Sequence, residues 1–269
     1  MYFDNSTETQ DNQKNGTTGL SQCHISPSVT FYSSGSLVET SIPRQGREVK
    51  TASRSAISGF SARSRRRLQV NLAKIRRDSL PVFVTLTYPA EFPGPKVAKH
   101  HLDVFGKALV RCGYGFVWKL EPQKRGAPHF HLLLYGAIPL LKSFRLWVAE
   151  TWYRIVGSGD TKHLKAGTQV ARVRSQHGVR AYAAKYMGKT FSGLGWESPG
   201  RFWGVVGAAN IPWSVAITVD LPVWMVHRLK RLFRKSTGWD YVSHYGQTFY
   251  MDLPEYWLSR LPELCILFV

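Results

Sequence analysis

Acidic residues are scarce in this 269-residue chain: 17 Asp plus Glu stand against 36 Lys plus Arg, a formal net charge of +19. Cysteine is scarcer still. Cys23, Cys112 and Cys265 lie far apart, are odd in number and form no CxxC pair. A disulfide framework and a Cys-based zinc finger are therefore both unsupported. No uninterrupted apolar run approaches the roughly 20 residues that span a bilayer. The first residues place Asp4, Glu8 and Asp11 among Ser, Thr, Asn and Gln. They lack the positive start and apolar stretch of a secretory signal. No Gly-x-x-x-x-Gly-Lys-Ser/Thr run occurs, so a fused nucleotide-driven helicase has no motif to rest on. These absences lead to the expectation of a soluble protein in a reducing, cytoplasmic setting.

What is present narrows the class. The hydrophobic fraction is 43% and the aromatic fraction 13%, too high for a wholly disordered basic tail. The length allows one large domain or two small ones. The charge calls for a polyanionic partner, nucleic acid first and an acidic membrane surface second. The membrane reading rests on charge alone, with no lipidation signal beside it.

Residues 1–45 are rich in Ser, Thr, Asn, Gln and Gly without apolar periodicity, and are expected to be disordered. Residues 46–80 form a basic linker or helix: Arg63, Arg65, Arg66 and Arg67 nearly adjoin, and Lys74, Arg76 and Arg77 follow. Leu68, Leu72 and Ile75 behind them have helical spacing. These arginines are candidate DNA contacts, with a solvated charged face as the plain alternative.

The folded domain is expected over 81–220, with a basic helix and tail at 221–269. Val82–Tyr88 is β-rich and stops at Pro89, hence a strand. Pro95 to Cys112 has helical spacing and a Gly behind it. Tyr114–Glu121 and Pro128–Tyr135 read as strands joined by a polar turn. Leu141–Val156 reads as a helix, Thr168–Val173 as a short strand and His177–Lys189 as a helix. A strand at Trp213–Val219 and a helix around Pro222–Lys235 complete the pattern. Mixed strands and helices with a hairpin indicate α+β with a central antiparallel sheet.

Two constellations could carry chemistry. In His129-Phe130-His131, alternation sends both imidazoles to one sheet face. If the strands on either side of residues 122–128 pair, Glu121 lies beside His129. Two imidazoles and a carboxylate make a mixed N/O set suited to Mg²⁺ or Mn²⁺ acting on a phosphate; the alternative is a polar sheet face under solvent. In Tyr182-Ala-Ala-Lys185-Tyr186-Met-Gly-Lys189, helical spacing puts Tyr182 and Tyr186 on one ridge and Lys185 and Lys189 on the next. A phenol near an ammonium can attack phosphorus. The alternative is an aromatic stripe that simply packs.

In this order, the Phe83–Tyr88 strand, Pro128-His-Phe-His131 and Tyr182–Lys189 resemble the three motifs of the HUH endonucleases. The resemblance is to the two-tyrosine rolling-circle replication initiators of small phages and plasmids, and covers roughly residues 80–210. It implies an RRM- or ferredoxin-like core flanked by helices. It also implies metal binding at His129 and His131, with Glu121 as third ligand by its position ahead of them. Tyr182 and Tyr186 would be nucleophiles, with Lys185 and Lys189 beside the phosphate. The implied partners are single-stranded origin DNA and a bacterial host's helicase and polymerase. Arg201-Phe-Trp-Gly204 resembles a segment that follows the third motif in phage initiators, its aromatics expected in the core. Two-tyrosine transposases of the same superfamily are close rivals, although many carry a Cys-rich zinc module. A basic nucleic-acid binder without chemistry is the rival from another class.

Overall fold

The computed structural model describes residues 28–32, 37–41, 57, 59–138, 141–175, 196, 199–222, 224, 225, 227, 228, 231 and 248–250. Nine strands and four α-helices are assigned among them. The strands are β1 Ser28–Phe31, β2 Leu37–Ser41, β3 Val82–Leu86, β4 Gly115–Pro122, β5 Pro128–Tyr135, β6 Thr168–Arg172, β7 Trp203–Val206, β8 Ile217–Asp220 and β9 Thr248–Tyr250. The helices are α1 Ala62–Ala73, α2 Pro95–Arg111, α3 Leu141–Val156 and α4 Thr161–Ala166. The architecture is α+β, as the sequence pattern indicates.

The central sheet has the order β6-β3-β5-β4-β7, and every neighbouring pair is antiparallel. Its middle strands are buried on both faces. Phe116, Leu120, Phe130, Leu132 and Leu134 point to one face and are fully buried. Against them lie α2 and α3. Phe105 of α2 and Phe130 of β5 both meet the buried Trp152 of α3 edge-on, at 5.8 and 6.5 Å. Such aromatic pairs add to the burial energy of their area. Pro95 opens α2 at its first turn and Gly113, at φ +81°, closes the chain behind it. Gly106 lets α2 approach β4, because a Cβ there would stand 3.1 Å from the Phe116 ring.

Several expectations need correction. The core reaches back before Pro81, since Phe60 and Leu68 are fully buried within it. Ser61 caps α1 by accepting from the Ser64 N–H at 3.2 Å. Two strands, β1 and β2, lie inside the segment expected to be disordered. Their partners are β8 and β9, far along the chain, in the order β8-β1-β2-β9. No local pattern reveals such distant pairing. The strand expected at Trp213–Val219 is shifted to β8, and Trp213 makes only a bridge to Ile75. β7 occupies a Gly- and Trp-rich stretch that carries no clear strand signal. β3 ends at Leu86 rather than Tyr88, because the Thr87 carbonyl and N–H are engaged outside the ladder. The N–H donates to Gly167 O at 2.8 Å. Phe202 is in the core as expected, and Trp203 is half-buried.

Candidate functional site

The hairpin of β4 and β5 forms in the register that pairs Glu121 with His129 and Lys119 with His131. β3 continues the row by pairing Thr85 with His131. Side chains alternate along strands, so Phe83, Thr85, Lys119, Glu121, His129, His131 and Leu133 share one face. This face is not an open polar surface. Phe83 and Leu133 are fully buried, His131 is 3% exposed and Lys119 0% exposed. Phe60 lies over the Lys119 ammonium, 4.8 Å from its ring centroid. Trp203 of β7 donates its indole N–H to Ser64 Oγ at 3.0 Å, tying α1 to the same side.

Within this shell the titratable groups meet. Glu121 Oε2 is 3.4 Å from His131 Nε2 and 4.0 Å from Lys119 Nζ. The His129 and His131 rings stand 4.5 Å apart, edge to face. His131 stacks on Phe83, with centroids 5.6 Å apart. Thr87 Oγ1 and Gln123 Nε2 each approach His129 Nδ1 at 3.4 Å. Burial, then the neighbouring His131, pushes His129 down to about 4 against the opposing pull of Glu121. The imidazole is thus neutral at physiological pH, the form that offers a lone pair.

The frame around the site is built from less conspicuous residues. The Thr87 carbonyl accepts from Trp152 Nε1 at 2.8 Å and meets His163 Nε2 at 2.9 Å. His163 is buried, and its Nδ1 meets Ser158 Oγ at 2.8 Å. α4 therefore fixes the end of β3, and with it Thr87 beside His129. At the other end Arg125, in the hairpin turn, donates to the carbonyls of Tyr88, Pro89 and Ala90 and to Gln123 Oε1. It clamps the loop after β3 to the turn that carries Gln123. Thr87 and Gln123 are absent from the expected ligand set. Thr87 was legible in principle: with Phe83 and Thr85 it continues the period-two face of β3. α4 was not, because six residues carry little helical periodicity.

The donor types suit a divalent cation: a carboxylate, two imidazoles and a hydroxyl on one face. As the side chains lie, the contacts are pairwise. Among the described residues no three His, Cys, Asp or Glu side chains close into one metal-binding group. Tyr182, Lys185, Tyr186 and Lys189 lie outside the described residues. Of the arginines singled out for DNA, Arg63 and Arg67 are exposed on α1, and Arg65 and Arg66 are half-buried there. Arg76 is held in a bidentate pair with Asp78, which raises its pKa through hydrogen bonding and charge. Arg77 is half-buried just past the helix. Residues 224, 225, 227, 228 and 231 of the expected basic helix are helical. Among the described residues, no helix is long and apolar enough to cross a membrane.

An antiparallel sheet with an acidic residue and a His pair on one covered face is the setting that a Rep-type protein would use. Residues 81–191 match the family model of the ORF2-type replication-associated proteins. The match runs from the start of β3 through β6 and across the Tyr182–Lys189 segment, and supports a replication-associated, Rep-type protein. No curated protein and no solved structure matches the chain significantly.

Proposed function

We propose that the chain is a rolling-circle replication initiator that nicks single-stranded origin DNA and later rejoins it. The observation that carries this reading is the register of β4 and β5, which sets Glu121 beside His129 and next to His131. That cluster lies inside the segment matched to replication-associated proteins. Glu121, His129 and His131 would hold a divalent cation, Mg²⁺ or Mn²⁺, which would supply Lewis-acid polarisation of a phosphate oxygen. Burial keeps His129 neutral for that role, and Thr87 and Gln123 hold its ring.

Tyr182 and Tyr186 are the nucleophiles in this reading. The phenolic oxygen of one attacks the scissile phosphorus in line. A Tyr–O–P bond forms, the P–O3′ bond breaks and the leaving 3′-oxygen ends as a hydroxyl, in net exchange for the phenol proton. Lys185 and Lys189 offset charge on the phosphorus centre. The products are a 5′-phosphotyrosyl link and a 3′-hydroxyl that primes synthesis. The second Tyr later cleaves the regenerated origin, and the freed 3′-hydroxyl displaces the first Tyr to close the circle. Strand separation and synthesis fall to a host helicase and polymerase.

The test is incubation with single-stranded DNA from the chain's own replicon and Mn²⁺, followed by a denaturing gel. A covalent protein–DNA band is expected, and chelation with EDTA should abolish it. A band unaffected by chelation would remove the metal from the mechanism.

A further inference from the structure

A second basic feature lies away from the His cluster. α3, α4 and β6 enclose an open groove of about 730 Å³, lined by Lys142, Arg145, Leu146, Glu150, Lys165 and Gln169 among others. That volume is within the roughly 300–1,000 Å³ of ligand-sized clefts. Three cations face one carboxylate there. Lys142, Arg145 and Lys165 are exposed, and Leu146 is 58% exposed, an apolar side chain left open among charges. Arg145 donates Nε to Val170 O at 3.0 Å, which anchors its guanidinium on the wall made by β6.

The groove connects to the His cluster through the sheet. β6 is the outer strand on this side of the central sheet as described. Gln169, on the groove's rim, pairs with Thr85, and Thr85 pairs with His131. Gln169 thus stands two strands from His131 in one row, roughly 10 Å at about 4.8 Å per strand. A chain of phosphates seated at the His cluster reaches the groove within a few nucleotides.

We propose that the α3–α4–β6 groove binds the single strand flanking the reacting phosphate. Lys142, Arg145 and Lys165 engage successive phosphates, and Leu146 offers an apolar platform to a base. The identity of the strand rests on the nicking function; the groove's role in strand binding does not. The groove is a contact for a polyanion that passes the sheet edge, separate from the arginines of α1.

The test compares two double variants of the full chain that lose the same charge: Lys142→Ala with Lys165→Ala in the groove, and Lys96→Ala with Lys107→Ala on α2. Binding of labelled single-stranded oligonucleotides of increasing length is followed by anisotropy across a salt series. The groove variant should lose about tenfold in affinity for long strands and show a log–log salt slope shallower by roughly 1.4, at about 0.7 per phosphate. Short strands that cover only the reacting phosphate, and the α2 variant on all strands, should bind as the parent does. Equal losses in both variants, or a loss independent of strand length, would overturn the proposal. A photo-reactive benzoylphenylalanine in place of Leu146 gives a second readout. Crosslinking to the oligonucleotide is expected, and crosslinking only to polypeptide, within the chain or to a second copy, would count against the groove. Failure of the covalent-band assay with groove-dependent binding intact would instead reject the nicking function and leave the groove standing.

Discussion

Lys119 shows at the scale of one residue what the fold adds to the pattern. Period-two alternation was enough to put Glu121, His129 and His131 on one face. It could not show that the same face is covered, because Phe60 and Trp203 arrive from opposite ends of the matched segment. A buried ammonium is costly unless compensated, and Lys119 lies 4.0 Å from the Glu121 carboxylate. The cluster is therefore a buried arrangement of charges, one that leaves Glu121 only 17% exposed. Burial has a second consequence at Tyr88 and Tyr135, whose phenols it raises above the ordinary value of 10.0. A folded-state pKa above the unfolded one means stability that is complete below the unfolded value and lost as pH rises beyond it. The melting temperature should accordingly fall above about pH 10. The Tyr88→Phe, Tyr135→Phe double variant should start lower at neutral pH, having lost the Tyr88 bond to His101, but fall less steeply on the alkaline side. An unchanged alkaline fall would show that other groups set it.

At the scale of elements, the six long ones from β3 to β6 were legible because each shows several turns or alternations of one period. The exceptions have physical reasons. α4 is one and a half turns long and is held by its contacts, not by its own pattern. β7 contains Gly204, where a Cβ would come within 2.8 Å of the Trp118 indole nitrogen, so glycine here marks close approach of β7 to β4 and not a turn. β3 stops early because α3 and α4 take the carbonyl of Thr87. His163 is the residue through which α4 acts. His163→Leu removes the groups that meet Thr87 O and Ser158 Oγ, and urea unfolding should register a loss of about 1–3 kcal/mol. Because Thr87 also meets His129, covalent-band formation by the folded variant should drop as well. Full stability with a normal band would show that α4 does not support the end of β3.

The whole molecule joins a buried reactive cluster to a surface dominated by positive charge. The surplus of +19 is not spread without order. Arg63 and Arg67 are exposed on α1, whereas Lys142, Arg145 and Lys165 gather on the opposite side of the central sheet order, beside β6. The pairing of β1 and β2 with β8 and β9 is the least legible part of the fold, because each strand is short and its partner lies far away in sequence. Chemistry in this arrangement depends on Tyr182 and Tyr186 meeting a phosphate held at the Glu121–His129–His131 cluster. The most direct measurement of that claim is covalent capture of origin DNA by the Tyr182→Phe, Tyr186→Phe double variant, set beside its DNA affinity. The account predicts unchanged binding and no covalent band; a band that survives both substitutions would contradict it.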